Sequence, residues 1–347
     1  MAYTTIDDPT LYFNTVLYTG TGATHNITGV GFQPDWVWIK NRSITANHHL
    51  FDIARGATKY LLTNVTNAEA TDAQQLQSFD ADGFTVGTNG NVNGSGNNIV
   101  AWNWLGANAS SSNTDGSITS SVSANTTAGF SIVSYTGNGT AGATIGHGLG
   151  TTPSMIITKT RSITQNWFVY HKSLGETKAI YLDLTNAPTT TSTAWNDTAP
   201  TSSVFSVGTE AGTNSSGATL IAYCFAEKKG YSKFGSYTGN GSADGTFIHT
   251  GMKPSYFLLK SSSNAESWHI YDNQRANAYN PHETVAPRAN DSSAESTAST
   301  YGIDFVSNGV KLRGSGSGIN GSGYSYIYMA FASNPFVTSS GVPACAR

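Results

Sequence analysis

The chain has 347 residues, a formal net charge of −3 and only 11% charged side chains, where an ordinary soluble protein has about 25%. Serine, threonine, asparagine and glycine, 41, 45, 29 and 37 of them, cover the surface instead, which excludes a mainly helical protein clad in Lys, Glu, Gln and Arg. Disorder is excluded by 38% hydrophobic and 11% aromatic residues, a phosphate-backbone partner by 18 scattered basic residues, and a membrane-spanning helix by the lack of an apolar window of about 18 residues.

Residues 1–11 lack the basic and apolar regions of a signal peptide. The expectation is a soluble product of a cytoplasm, with 1–11 as an attachment segment. The length exceeds the roughly 250–300 residues at which one core stops growing, so two or three domains are expected. Three units emerge, at 12–106, 129–227 and 230–336, because four landmarks recur in order. The first is Tyr-Thr-Gly-x-Gly at 18–22, 135–139 and 237–241, with offsets of 117 and 102. The second is a strand that begins at a proline and carries a lysine six residues on: Pro34 and Lys40, Pro153 and Lys159, Pro254 and Lys260. Twelve residues beyond each lysine stands Asp52, His171 or Asp272. Last comes Asn-x-Ser-Gly at 93–96, 214–217 and 320–323, feeding an apolar strand.

Each unit reads as short strands rich in Val, Ile, Thr and aromatics between Gly, Asn, Asp and Pro clusters. The fold class is all-β, with three tandem jelly-roll-like β-sandwiches of seven or eight strands each. Alternation places Trp36, Trp38 and Lys40 on one face of a strand and Val37 and Ile39 on the other, as in a central strand covered on both sides. Residues 72–76 are expected to form one helical turn. Residues 107–128, poor in apolar side chains, read as a linker or surface arm, and 337–347 as a tail. Lys228, Lys229 and Gly230 join the last two units closely.

Chemistry is sparse. The G-x-G-x-x-G match at 137–142 precedes no helix and reads as a hairpin turn. The eight histidines show no metal-ligand spacing, and His48 and His49 point to opposite faces. Asp80 and Asp82 are the carboxylate pair available to a glycan-cleaving enzyme, but D-x-D-G also makes a turn and neither sister unit keeps it. The Asn-rich run 89–98 lacks the carboxylates of a calcium site. Cys224 reads as a buried inert thiol and Cys345 as a tail thiol. Two aromatic sets, Trp102, Tyr223 and Phe331, and Trp36, Met155 and Tyr256, are each assigned to one repeated core position. The non-repeated loop of the third unit, with Arg275, Tyr279, Asn280, Pro281, His282 and Glu283, is the candidate contact surface. No catalytic, cofactor or metal residue is assigned.

The opening 1–9, the Tyr-Thr-Gly-Asn-Gly blocks, 33–43, 169–175 and 334–343 resemble virion structural proteins of marine and freshwater bacteriophages, commonly called tail or tail-fibre proteins. The resemblance covers essentially the whole chain and brings no catalytic residues. It implies a particle component exposed to open water and, as partners, other virion proteins, further copies of the chain in a homotrimer or higher, and a host-surface glycan or protein. The expected function is a tail-fibre or tail-tip adhesin, without enzymatic activity, that touches the host through sandwich loops. A capsid decoration or head fibre, and a surface-polysaccharide depolymerase, are the alternatives.

Overall fold

A computed structural model describes residues 2–275, 288–296 and 299–344. The described chain is 42% strand and 7% helix, and its strand order repeats three times. Unit one contains β1 (Phe13–Thr19), β2 (His25–Ile27), β3 (Trp36–Asn41), β4 (His49–Asp52), β5 (Lys59–Leu62), β6 (Ala70–Thr71), β7 (Leu76–Asp80), β8 (Gly83–Val86) and β9 (Asn98–Trp104). A hairpin follows, β10 (Ser111–Asn113) and β11 (Ser120–Asn125). Unit two contains β12 (Phe130–Thr136), β13 (Ala143–Gly146), β14 (Met155–Thr160), β15 (Phe168–His171), β16 (Lys178–Tyr181), β17 (Thr189–Thr190), β18 (Val204–Val207) and β19 (Thr219–Phe225). Unit three contains β20 (Ser232–Thr238), β21 (Phe247–His249), β22 (Met252–Ser261), β23 (His269–Asp272), β24 (Ile303–Val306), β25 (Gly309–Leu312) and β26 (Ser325–Pro335).

Each unit has a large antiparallel sheet backed by a small one. The large sheets run β1-β9-β3-β4-β5-β6, β10-β11-β12-β19-β14-β15-β16-β17 and β20-β26-β22-β23. The small ones run β2-β8-β7, β13-β18 and β21-β25-β24. As the alternation requires, β3, β14 and most of β22 are buried on both faces. One face of β3, with Val37 and Ile39, packs on the small sheet of its own unit. The other, with Trp36 and Trp38, enters a core shared by all three units.

The shared core is aromatic. Trp36 lies 4.4 Å from Trp104 and 4.9 Å from Tyr223 of unit two, ring centre to ring centre. Trp104 meets Tyr256 of unit three at 5.5 Å, and Phe225 meets Phe331 at 6.1 Å. Rings bury large apolar areas and gain further from tilted and edge contacts, so this core joins what would otherwise be three separate sandwiches. The β ladder also corrects one assignment: Trp104, Phe225 and Phe331 are equivalent, each opposite Trp36, Met155 or Tyr256. The true equivalents of Trp102 and Tyr223 are therefore Met329 and not Phe331.

Four further expectations change. Residues 107–128 are not a linker throughout, because β11 pairs along β12 and β10 along β11. In β11 Ser120 and Val122 are buried and Ser121 between them is exposed, which suits a sheet whose outer face meets water. Residues 1–11 are not a free arm: Ile6 is buried in the shared core and Asp7 accepts hydrogen bonds from the Ser339 backbone and hydroxyl. Residues 72–76 form a turn instead of a helix, since the Asp72 carboxylate accepts from the Gln74 amide and caps it. Pro254 lies within β22, at an irregularity in its register with β26, a place where a missing amide is tolerated.

Candidate binding surface

The repeated motifs are consumed by folding. In each unit an invariably buried asparagine locks the Tyr-Thr-Gly-x-Gly turn. Asn214 Oδ1 accepts from the Asn138 amide at 2.9 Å while its Nδ2 donates to the Thr140 and Gly208 carbonyls. Asn93 and Asn320 do the same in their units. The motif tyrosines Tyr18, Tyr135 and Tyr237 donate to the carbonyls of Val92, Thr213 and Ile319. The glycine after the threonine is required by close approach, since a Cβ on Gly137 would lie 2.3 Å from the Ser215 carbonyl oxygen. The glycine-rich match at 137–142 is thus a turn between β12 and β13, and it opens no helix.

Contacts between units repeat cyclically, first through three buried lysines. Lys40, Lys159 and Lys260 donate across to the carbonyls of Ser292, Thr66 and Thr185 at 3.0, 2.9 and 3.0 Å. Unit one therefore reaches unit three, two reaches one, and three reaches two. Burial pulls all three ammonium groups down to about 8. Trp167 and Trp268 donate in the same sense to the Leu62 and Tyr181 carbonyls. His48 holds that position in unit one, facing the Arg288 backbone of unit three, and its Nδ1 accepts from Trp38 Nε1.

Two of the three interfaces carry a buried polar chain. Tyr223 of unit two donates to Asp52 of unit one at 2.7 Å; Asp52 pairs with Arg55, Arg55 lies 3.5 Å from Glu69, and Glu69 holds Arg161 of unit two. Trp102 of unit one donates to Asp272 of unit three at 2.8 Å; Asp272 pairs with Arg275, Arg275 with Glu295, and Glu295 with Arg42 of unit one. At the third interface every charged member is replaced together. His171 and Leu174 stand for the Asp and Arg, Met329 for the ring donor, and Ser262 and Pro188 for the outer Arg and Glu. His171 is neutral: Nδ1 accepts from the Ser173 amide, Nε2–H donates to the Tyr328 carbonyl, and burial lowers it to about 4. Methionine donates nothing, so an aspartate there would be a buried charge without its partner.

This placement overturns one candidate residue. Arg275 is 7% exposed and spent on Asp272, Glu295 and the Ile270 carbonyl, so it presents nothing to a host. Tyr279, Asn280, Pro281, His282 and Glu283 lie outside the described residues. Sequence reading missed the interface chains, although the repeated D-x-x-R at 52–55 and 272–275, against His171 and Leu174, was their visible sign.

The carboxylates Asp80 and Asp82 close the β7–β8 hairpin. Asp82 accepts from the Gly31 and Gly29 amides, which hold its pKa below the usual carboxylate range, and Asp80 accepts from the Thr85 hydroxyl. His48 packs beside Trp38 and Trp102, His49 beside Phe51 and Tyr60 on the opposite face. Cys224 is buried and its thiol is pushed far up by desolvation; Cys345 lies outside the described residues. Among the described residues no three His, Cys, Asp or Glu side chains form a metal-holding group.

What remains available is surface. Beside the β10–β11 hairpin a shallow groove is lined by hydroxyls, with Ser112, Ser121, Ser134, Thr136 and Thr219 across four strands. Arg161 donates to Ser134 at its margin. At one end of the large sheets, loops of equal length follow the three lysines and expose Ile44 and Ile163 among serine and threonine. At the other end the two chain termini meet.

A family model described as a domain of unknown function (DUF7483) matches residues 8–335. The chain belongs to that family. The match spans all three units. No curated protein and no solved structure matches.

Proposed function

We propose that this DUF7483 chain is a structural component of a bacteriophage particle, a tail-fibre or tail-tip protein that contacts the host surface. The observation that carries the reading, beside the sequence resemblance, is where the polar chemistry sits. The repeated Asn, Tyr, Lys, Asp and Arg side chains are spent within and between units, which suits a rigid presenting body.

Charge-poor hydroxyl surfaces depend little on salt-screened ion pairs, and extensive non-local β pairing folds slowly and suits the kinetic persistence that a particle exposed to open water needs. The hydroxyl groove beside β10–β11 is suited to a host glycan: serine and threonine both donate to and accept from sugar hydroxyls, and weak contacts gain avidity when several copies are displayed.

Imaging intact particles with a labelled antibody against the chain tests the reading. Label at the tail is the expected result. Label on the head places the chain among capsid decorations, and unlabelled particles overturn the proposal.

A further inference from the structure

The two ends of the large sheets differ in chemistry. Where β3, β14 and β22 end, the loops at 42–46 and 161–165 offer Ser, Ile and Thr, and their arginines, Arg42 and Arg161, are paired to glutamates. Where the same strands begin, the chain termini meet and exposed lysines collect. Lys229 is exposed and lies 4.4 Å above the Tyr3 ring. Tyr3 in turn stands 6.4 Å from Phe336. Lys172 and Lys233 flank Glu227 at 2.5 and 2.6 Å, each more than a third exposed. Phe336 and Val342 are 39% and 58% exposed, so apolar side chains lie among the cations.

We infer that this terminal end is the face by which the chain is mounted on the particle, and that it fits an acidic protein surface carrying apolar side chains. The inference rests on the particle reading and names the mounted face within it. A cationic cluster on a chain of net charge −3 steers an anionic partner, and the exposed rings and Val342 supply the dry contact that a lasting interface needs. The interleaved Glu227 and Asp7, and the apolar character, disfavour a bare phosphate lattice. The opposite end and the hydroxyl groove then point away from the particle, toward a host.

The experiment complements particles lacking the chain with three versions: wild type, Lys229→Glu with Val342→Asp, and Ile44→Asp with Ile163→Asp at the opposite end. The amount of chain on purified particles is read by quantitative immunoblot, after circular dichroism and thermal melting of each purified variant establish native folding. The expected result is a tenfold or greater loss for the first variant, with the Ile44 and Ile163 variant retained at wild-type level. Equal incorporation of all three, or selective loss of the Ile44 and Ile163 variant, overturns the mounting face while leaving the particle reading intact. Absence of the wild-type chain from particles overturns both. Firm binding of wild type to phosphatidylglycerol vesicles or to heparin at physiological salt, abolished by Lys229→Glu, would assign the cations to a different partner and also overturn the inference.

Discussion

Asp183 tests how far each unit has been tuned at single positions. It occupies the place of Asn64 and Asn290, whose Oδ1 atoms also cap the amide that begins the next strand, but its own Oδ2 is buried without a partner. Desolvation lifts its carboxyl from 3.8 to about 6. The folded chain therefore holds a proton there more tightly than the unfolded one, so stability falls as pH rises from about 4 through 6 and stays reduced above. At 1.36 kcal/mol per pH unit the ceiling is about 3 kcal/mol. Asp183→Asn should raise the melting temperature at pH 8 by an amount equivalent to about 1–3 kcal/mol and leave it unchanged at pH 4. A loss at pH 8 would show that Lys159 depends on this charge. Asn214→Ala, by contrast, strips a turn of four hydrogen bonds and should cost about 2–4 kcal/mol in denaturant titration. An effect below about 1 kcal/mol would mean the glycine turn stands without its lock.

At the scale of elements, the three interfaces divide by how the backbone already joins them. Units two and three are linked by the few residues between Phe225 and Ser232, so their sheets meet at high effective concentration, and among the described residues the interface has no buried charged chain, only the partly exposed trio Lys172, Glu227 and Lys233. Units one and three have no direct connection, and units one and two are separated by the β10–β11 hairpin; these two interfaces hold the Asp–Arg–Glu–Arg chains. Removing one buried member leaves its partner uncompensated, a loss of about 3–5 kcal/mol. Asp272→Ala should show that loss. The variant Asp272→His, Arg275→Leu, Trp102→Met, which rebuilds the first-to-third interface in the image of the third-to-second, should recover most of it. If the triple variant is no more stable than Asp272→Ala, the two kinds of interface are not interchangeable solutions.

The elements also mark what the sequence disclosed. Proline-to-lysine spacing and the Asn-x-Ser-Gly turns located β3, β14, β22, β9, β19 and β26, because those positions are constrained by burial on both faces and by a shared turn. The hairpin at 111–125 was hidden, since serine-rich strands on a wet sheet edge lack the apolar alternation that announces a strand. The Phe331 assignment failed by two positions because the last strand offers aromatics at Tyr326, Tyr328 and Phe331, so composition alone did not set the register. Arg275 looked like a loop residue because its partners, Glu295 and the Trp102 ring, are distant in sequence.

For the whole molecule, the sequence implied three sandwiches, and the structure makes them one body. Trp36, Tyr223, Tyr256 and Phe331 belong to a single cluster fed by all units, and each unit buries a lysine or an aromatic against the next. Such a body should gain or lose its units together. The proposed particle role would profit from that, because one opened unit would expose the edges of the others to proteolysis. The most direct test is differential scanning calorimetry of the intact chain. One endotherm, with a calorimetric enthalpy equal to the van't Hoff enthalpy, is the predicted result. Two or three resolved endotherms that divide the enthalpy between them would contradict the shared core and the cyclic interfaces alike.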